Sequence, residues 1–189
     1  MFNMDDMTNR SREYLSRAGL QSYEIMRLDQ IGYCSAPASK GHHLAVPGGL
    51  MVHSMNVADN LVRLLRGGVS DLPERSAYRI AMLHDLVKCY CYRPHSAGSV
   101  LYEYVYVQPP YPGHGVASVM ICNDLDLRLT PEEASAITWH MGAFGLSDRE
   151  LKEYHAAVRR FPEAIILTHA ADHLASINEE KEEEAGNGR

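Results

Sequence analysis

No run of roughly 20 uninterrupted apolar residues, the length that carries a helix across a bilayer, occurs in the chain, so no membrane-spanning helix is expected. The first residues, Met1 to Arg12, carry Asp5 and Asp6 where a secretory leader would have a basic stretch and then an apolar one; a cytoplasmic protein is expected. A basic excess is also missing. With 18 Lys and Arg against 24 Asp and Glu, the net charge is -6, which argues against a broad face for long nucleic acid and leaves room only for a local basic pocket. Cysteine is scarce: Cys34, Cys89, Cys91 and Cys122 are too few and too irregular for a disulfide framework. One residue separates Cys89 from Cys91, short of the spacing of a zinc knuckle, so the four read as reduced thiols used as small apolar side chains. No internal repeat divides the chain.

What remains is 189 residues, 46% of them hydrophobic, enough for one ordinary core. Apolar spacing of three and four predicts helices over 5–17, 23–31, 50–66, from Pro73–Glu74 to Val87, and over 115–123, 131–141, 148–160 and 162–177, with Thr130 as an N-cap. Between Ser35 and Gly49, Pro, Gly and Ser are dense and an ordered loop is expected. Alternating Tyr and Val after Ser96–Gly98 suit a small β-hairpin inserted around residues 92–110. The fold class is therefore all-α with that hairpin. A single domain should cover 1–178, with N-terminal helices over 1–34 and a motif-bearing core over 35–177; the Glu-rich stretch 179–189 lacks an apolar face and reads as a solvated acidic tail.

Ten histidines are the unusual feature. His53, His84 (followed at once by Asp85), His114, His140 and His169 with Asp172 fall on apolar helix faces. One such His is commonly a core residue hydrogen-bonded to a local acceptor. Five would each need a separate partner, whereas convergence on one or two cations satisfies them together. Neutral nitrogen ligands mixed with hard carboxylates suit Mn²⁺, Fe²⁺, Co²⁺, Ni²⁺ or Zn²⁺, with Mg²⁺ a further candidate, better than Ca²⁺; the absence of a cysteine ligand argues against structural zinc.

The ordered series His53, His84-Asp85 in LHDLVK, His114 in PGHG, His140 in WHMG and Asp172 in THAAD resembles the HD-domain superfamily of metal-dependent phosphohydrolases. The likeness spans most of 35–176, is nearest to small stand-alone bacterial HD hydrolases, and extends to the HD domain of bacterial 3'-5' exoribonucleases. It implies that His53, His84, Asp85 and Asp172 hold a first metal and that His114 and His140 complete a second site with Asp85. It also places Lys88 and His43 on the substrate side, with Asp85 and Lys88 catalytic. His169, one turn before Asp172, either orients a ligand from behind or packs.

The implied chemistry is hydrolysis of a phosphoester by a metal-activated water, with Lys88 neutralising charge on the phosphoryl oxygens; His43 and His114 are both open as the acid. Tyr102, Tyr104, Tyr106 and Tyr111, projecting from a strand next to His114, either stack a nucleobase or pack on the helices. The chain has no room for an additional RNA-holding OB-fold, so a small nucleotide or short oligonucleotide is the expected substrate; a homodimer is implied by the resemblance alone. Two other readings of the same residues stand beside hydrolysis. A di-iron oxygenase would need O₂, and a metal- or nucleotide-binding sensor would bind without turnover.

Overall fold

The computed structural model describes residues 3–41, 44–94 and 104–187, with side chains to 185. Two helices lead: α1 (Met4–Arg17), capped by the Asn3 side chain accepting from Asp6 N, and α2 (Ser22–Gln30), opened by a capping box between Gln21 and Glu24. After the loop comes α3 (Gly49–Arg66), whose buried positions run from Leu50 through His53 and Val57 to Leu61 at steps of three and four. It packs along α4 (Glu74–Leu83) and α9 (Pro162–Asn187), and α1 closes over α3 and α4. The buried residues of α9 include four small ones, Ala164, Thr168, Ala171 and Ala175, beside Ile165 and Glu179.

Between these lie the short helix α5 (Lys88–Cys91) and an antiparallel pair, β1 (Tyr92–Pro94) with β2 (Tyr104–Tyr106), in the register Tyr92 to Tyr106 and Pro94 to Tyr104. Helices α6 (Gly115–Asp124), α7 (Pro131–Thr138) and α8 (Asp148–Arg160) follow, α7 packing on α6, α4 and α9. As expected, the fold is mostly helical with a two-stranded insertion. The Thr130 cap is present, its hydroxyl accepting from Glu133 N while Glu133 accepts from Thr130 N.

Three boundaries differ from the sequence reading. Helix α4 stops at Leu83 rather than Val87, because the chain tightens into three-residue turns in which Lys88 N donates to Asp85 O and Cys89 N to Leu86 O. Helix α7 stops at Thr138 rather than Met141, and the chain turns through Gly142 at a φ of 68°. Helix α9, by contrast, runs on to Asn187, so the acidic stretch begins as helix: Glu180 to Ala185 are exposed, as a solvated stretch should be, but Glu179 is only 3% exposed and belongs to the interior.

Gly115 shows how tightly α6 is laid on α7. A Cβ there would come within 2.3 Å of Thr138 O and 2.4 Å of Ile137 O, backbone atoms at the C-terminal end of α7 that cannot swing away. Gly115→Ala should therefore push the two helices apart and lower the free energy of unfolding by about 1–3 kcal/mol, the usual range for overpacking. Urea denaturation checks this; a midpoint equal to that of the wild type contradicts the packing described.

Candidate metal centre

The three helix ends and two helix faces just described bring their polar side chains to one buried point. His53 comes from the second turn of α3, His84 from the C-cap of α4, Asp85 from the turn after it, His114 from the N-cap of α6, His140 from the turn after α7, and Asp172 from α9. Neighbouring ring centroids lie 5.4 Å (His53–His84), 4.9 Å (His84–His140) and 5.3 Å (His114–His140) apart. Asp85 sits among them, Oδ2 at 3.2 Å from His84 Nε2 and Oδ1 at 2.5 Å from His114 Nε2 and 3.6 Å from His140 Nε2. Asp172 Oδ1 is 3.1 Å from His53 Nε2 and 3.8 Å from His84 Nε2.

Two of these rings are held in the same way. His84 and His140 each follow a helix end and donate Nδ1–H to the carbonyl three residues back, Ala81 O and Ile137 O, both at 2.7 Å. A carbonyl only accepts, so the proton is on Nδ1 and Nε2 of the neutral ring carries a lone pair. Both Nε2 atoms are buried without a hydrogen-bond partner and face the carboxylate of Asp85. Lone pairs opposed to lone pairs in a dry interior repel; a cation among them makes every one of those contacts attractive. The residues therefore fit a metal. Two overlapping groups, His53–His84–Asp172 and His84–Asp85–His140, have ligand atoms within 4.8 Å of one another. His84 thus belongs to both, a division different from the one in which His84 serves the first ion and His140 joins His114 in the second.

The acid beneath His53 was not legible as a functional residue. Glu179 accepts from His53 Nδ1 at 3.0 Å and from Asn56 Nδ2 at 2.8 Å, fixing the ring so that Nε2 points to Asp172. The signal was its distance from Asp172, seven residues or two helical turns, with Ala175 between them on the same face. The surrounding run of glutamates hid it.

Lys88 Nζ is 2.6 Å from Asp85 Oδ2 and its side chain is largely buried, so it is an ion-pair partner of the cluster and not a solvated helix-end lysine. His169 donates Nδ1–H to His140 O at 2.7 Å and lies against Gly142, where a Cβ would come within 2.9 Å of the ring. It thus steadies the turn that carries His140. His173 stacks on it, and His155 is exposed on α8. His42, His43, His95 and Tyr102 lie outside the described residues. Of the other tyrosines, Tyr104 is buried and Tyr106 exposed, whereas Tyr111 is not on the strand: it sits in the loop before α6 and donates to Asp124, because β2 ends at Tyr106.

Burial alone would push Asp85 up, but the Lys88 ammonium beside it holds it well below the usual carboxylate range. Burial also opposes ionisation of Asp172, which the hydrogen bond from His53 reverses to hold it low. Lys88, disfavoured as a cation by burial, is nonetheless held up by Asp85. At His53 burial pushes down, yet Asp172 on one nitrogen and Glu179 on the other raise it from 6.5 to about 9. His140 goes the opposite way, down from 6.5 to about 4, chiefly through burial.

The chain is thus a mostly helical domain with a buried His/Asp cluster that can hold a metal ion, and no described helix is long and apolar enough to cross a membrane. Compared with protein-family models, with curated proteins and with solved structures, it gives no match.

Opposite shifts at two histidines set the pH dependence of the metal-stripped protein. The raised His53 contributes stability that is fully present below about 6.5 and is lost as pH rises through about 9. The lowered His140 resists a proton that the unfolded chain accepts, so stability is lost as pH falls from 6.5 toward about 4. Denaturation with chelator present should therefore show a maximum near pH 6.5, and Glu179→Gln should shift the alkaline fall to lower pH. An alkaline limb unchanged in that variant contradicts the His53–Glu179 pairing.

Proposed function

We propose that the protein is a metal-dependent phosphohydrolase of the HD-domain class, cleaving a phosphoester of a nucleotide or short oligonucleotide. The observation that carries this reading is the pair of buried Nε2 atoms of His84 and His140, without hydrogen-bond partners and beside Asp85, in the order of motif residues that the HD likeness implies. Divalent cations, when bound, supply the Lewis acidity and the acidified water that phosphoester hydrolysis needs.

The protein's own groups have distinct tasks. His53, His84, Asp172, His140 and Asp85 are the ligands, with Asp85 offering one oxygen toward His84 and the other toward His114 and His140. Glu179 and His169 position His53 and the His140 turn from behind. His114 is 35% exposed, against 3% for Asp85, so it stands on the side from which a substrate reaches the cluster. Lys88 brings a second positive charge to that point, suited to phosphoryl oxygens once Asp85 is engaged by metal. The net charge of -6 favours a small phosphorylated substrate over a long nucleic acid, and the exposed ring of Tyr106 offers a face for a base.

The test is to purify the chain without chelator, measure metal per chain, and follow phosphate release from nucleoside mono-, di- and triphosphates and short oligonucleotides with Mn²⁺ added. Bound metal, with release that falls at least about a thousandfold in Asp85→Ala and persists without O₂, is the expected result. Release equal in wild type and Asp85→Ala would overturn the proposal, and turnover that requires O₂ would move the site to oxygenase chemistry.

A further inference from the structure

At the ends of α4 and α7 opposite the His/Asp cluster lies a concavity with no role in the site described above. It is a cleft of about 770 Å³ where the N-terminal ends of α2, α4 and α7 meet, lined by Gln21, Pro73 and Thr130 from those ends and by Arg75, Arg79 and Arg128. Helix N-termini present unpaired N–H groups and positive partial charge. Those of α2 and α7 are closed by capping boxes, whereas α4, with Pro73 at its N-cap, has no side-chain cap for the N–H groups of its first turn.

The side chains point to an anion. Arg79 is only 6% exposed; its two Nη atoms donate to Ala18 O and Arg128 O, but Nε has no hydrogen-bond partner, the nearest carboxylate oxygen, on Glu133, being 3.9 Å away. Arg75 lies flat against Gly19, so close that a Cβ on that glycine would fall 2.2 Å from Arg75 Nε, and neither Arg75 nor Arg128 has an acidic partner among the described residues. The three acids of the cleft are already engaged. Glu24 accepts from Gln21 N at 2.6 Å, Glu133 from Thr130 N at 2.9 Å, and Asp126 pairs with Arg27 at 2.6 Å. Two guanidinium groups without an acidic partner, Arg75 and Arg128, beside an uncapped helix start, are what phosphate oxygens bind in forked geometry.

We propose that this cleft is a binding site for a small phosphate-bearing anion, separate from the His/Asp cluster and held by Arg75, Arg79, Arg128 and the first turn of α4. The cleft stands at the beginning of α4 and α7, the two helices whose ends carry His84 and His140, so ligand and cluster occupy opposite ends of one helix pair roughly 15 Å long by helical rise.

Pyrophosphate titrated calorimetrically into the full-length protein tests it, using the wild type, Asp85→Ala, Arg75→Ala and Arg128→Ala. Both arginines are exposed, so their removal leaves the fold intact, which circular dichroism verifies. The expected result is a binding component of one per chain that survives Asp85→Ala and weakens at least about tenfold in Arg75→Ala and in Arg128→Ala, with Arg75→Lys intermediate. Absence of any component at millimolar pyrophosphate, or a component lost in Asp85→Ala and kept in both arginine variants, would overturn the proposal. Either result stands apart from whether the His/Asp cluster hydrolyses anything.

Discussion

A carboxylate at the centre of a protein has to be neutralised by what surrounds it, and Asp85 imposes that constraint on the whole architecture. Around it stand one ammonium, from Lys88, and rings from His84, His114 and His140, each delivered by a different helix end. The last carbonyls of α4 and α7 are not left to water. The imidazole that follows each helix caps one of them with Nδ1, and that same bond dictates that Nε2 faces Asp85 as an acceptor. Helix termination and ligand orientation are therefore one event, and the close approach at Gly115 keeps the α7 end where that event requires it.

A second acid organises the other flank. His53 sits between Asp172 and Glu179, both on α9, so the long helix is locked to α3 by a ring that bonds at both nitrogens. Asn60 donates to Ala171 O two turns further along α3, and Leu44 N donates to Glu183 farther along α9, tying the loop before α3 to the same helix. The stretch after Ile177 is thus structural on one side and solvated on the other.

Most helices and the six metal-site candidates were legible, because apolar spacing and the presence of His on apolar faces are local signals. The ends of α4 and α7 were not, since a chain tightening from four-residue to three-residue turns keeps side chains pointing nearly the same way and the apolar pattern runs on unchanged. Glu179 was illegible for a different reason: an acid read among Glu180, Glu182, Glu183 and Glu184 takes its meaning from composition, and its true partner is 126 positions away in sequence. Tyr111 shows the converse error, a residue type assigned to a strand that ends before it. The arginine cleft was not legible, because Arg75, Arg79 and Arg128 become a group only when the starts of α4 and α7 are set side by side.

The account rests on a cation joining nitrogen and oxygen lone pairs that otherwise oppose each other at Asp85. Anomalous diffraction at the manganese edge from Mn²⁺-soaked crystals tests this most directly. The account predicts a peak within coordination distance of His84 Nε2 and an Asp85 oxygen, with Lys88 Nζ withdrawn from its present 2.6 Å contact. A cluster that stays free of manganese under saturating soaks, with the His84 and His140 rings turned to hydrogen-bond Asp85 instead, would contradict it.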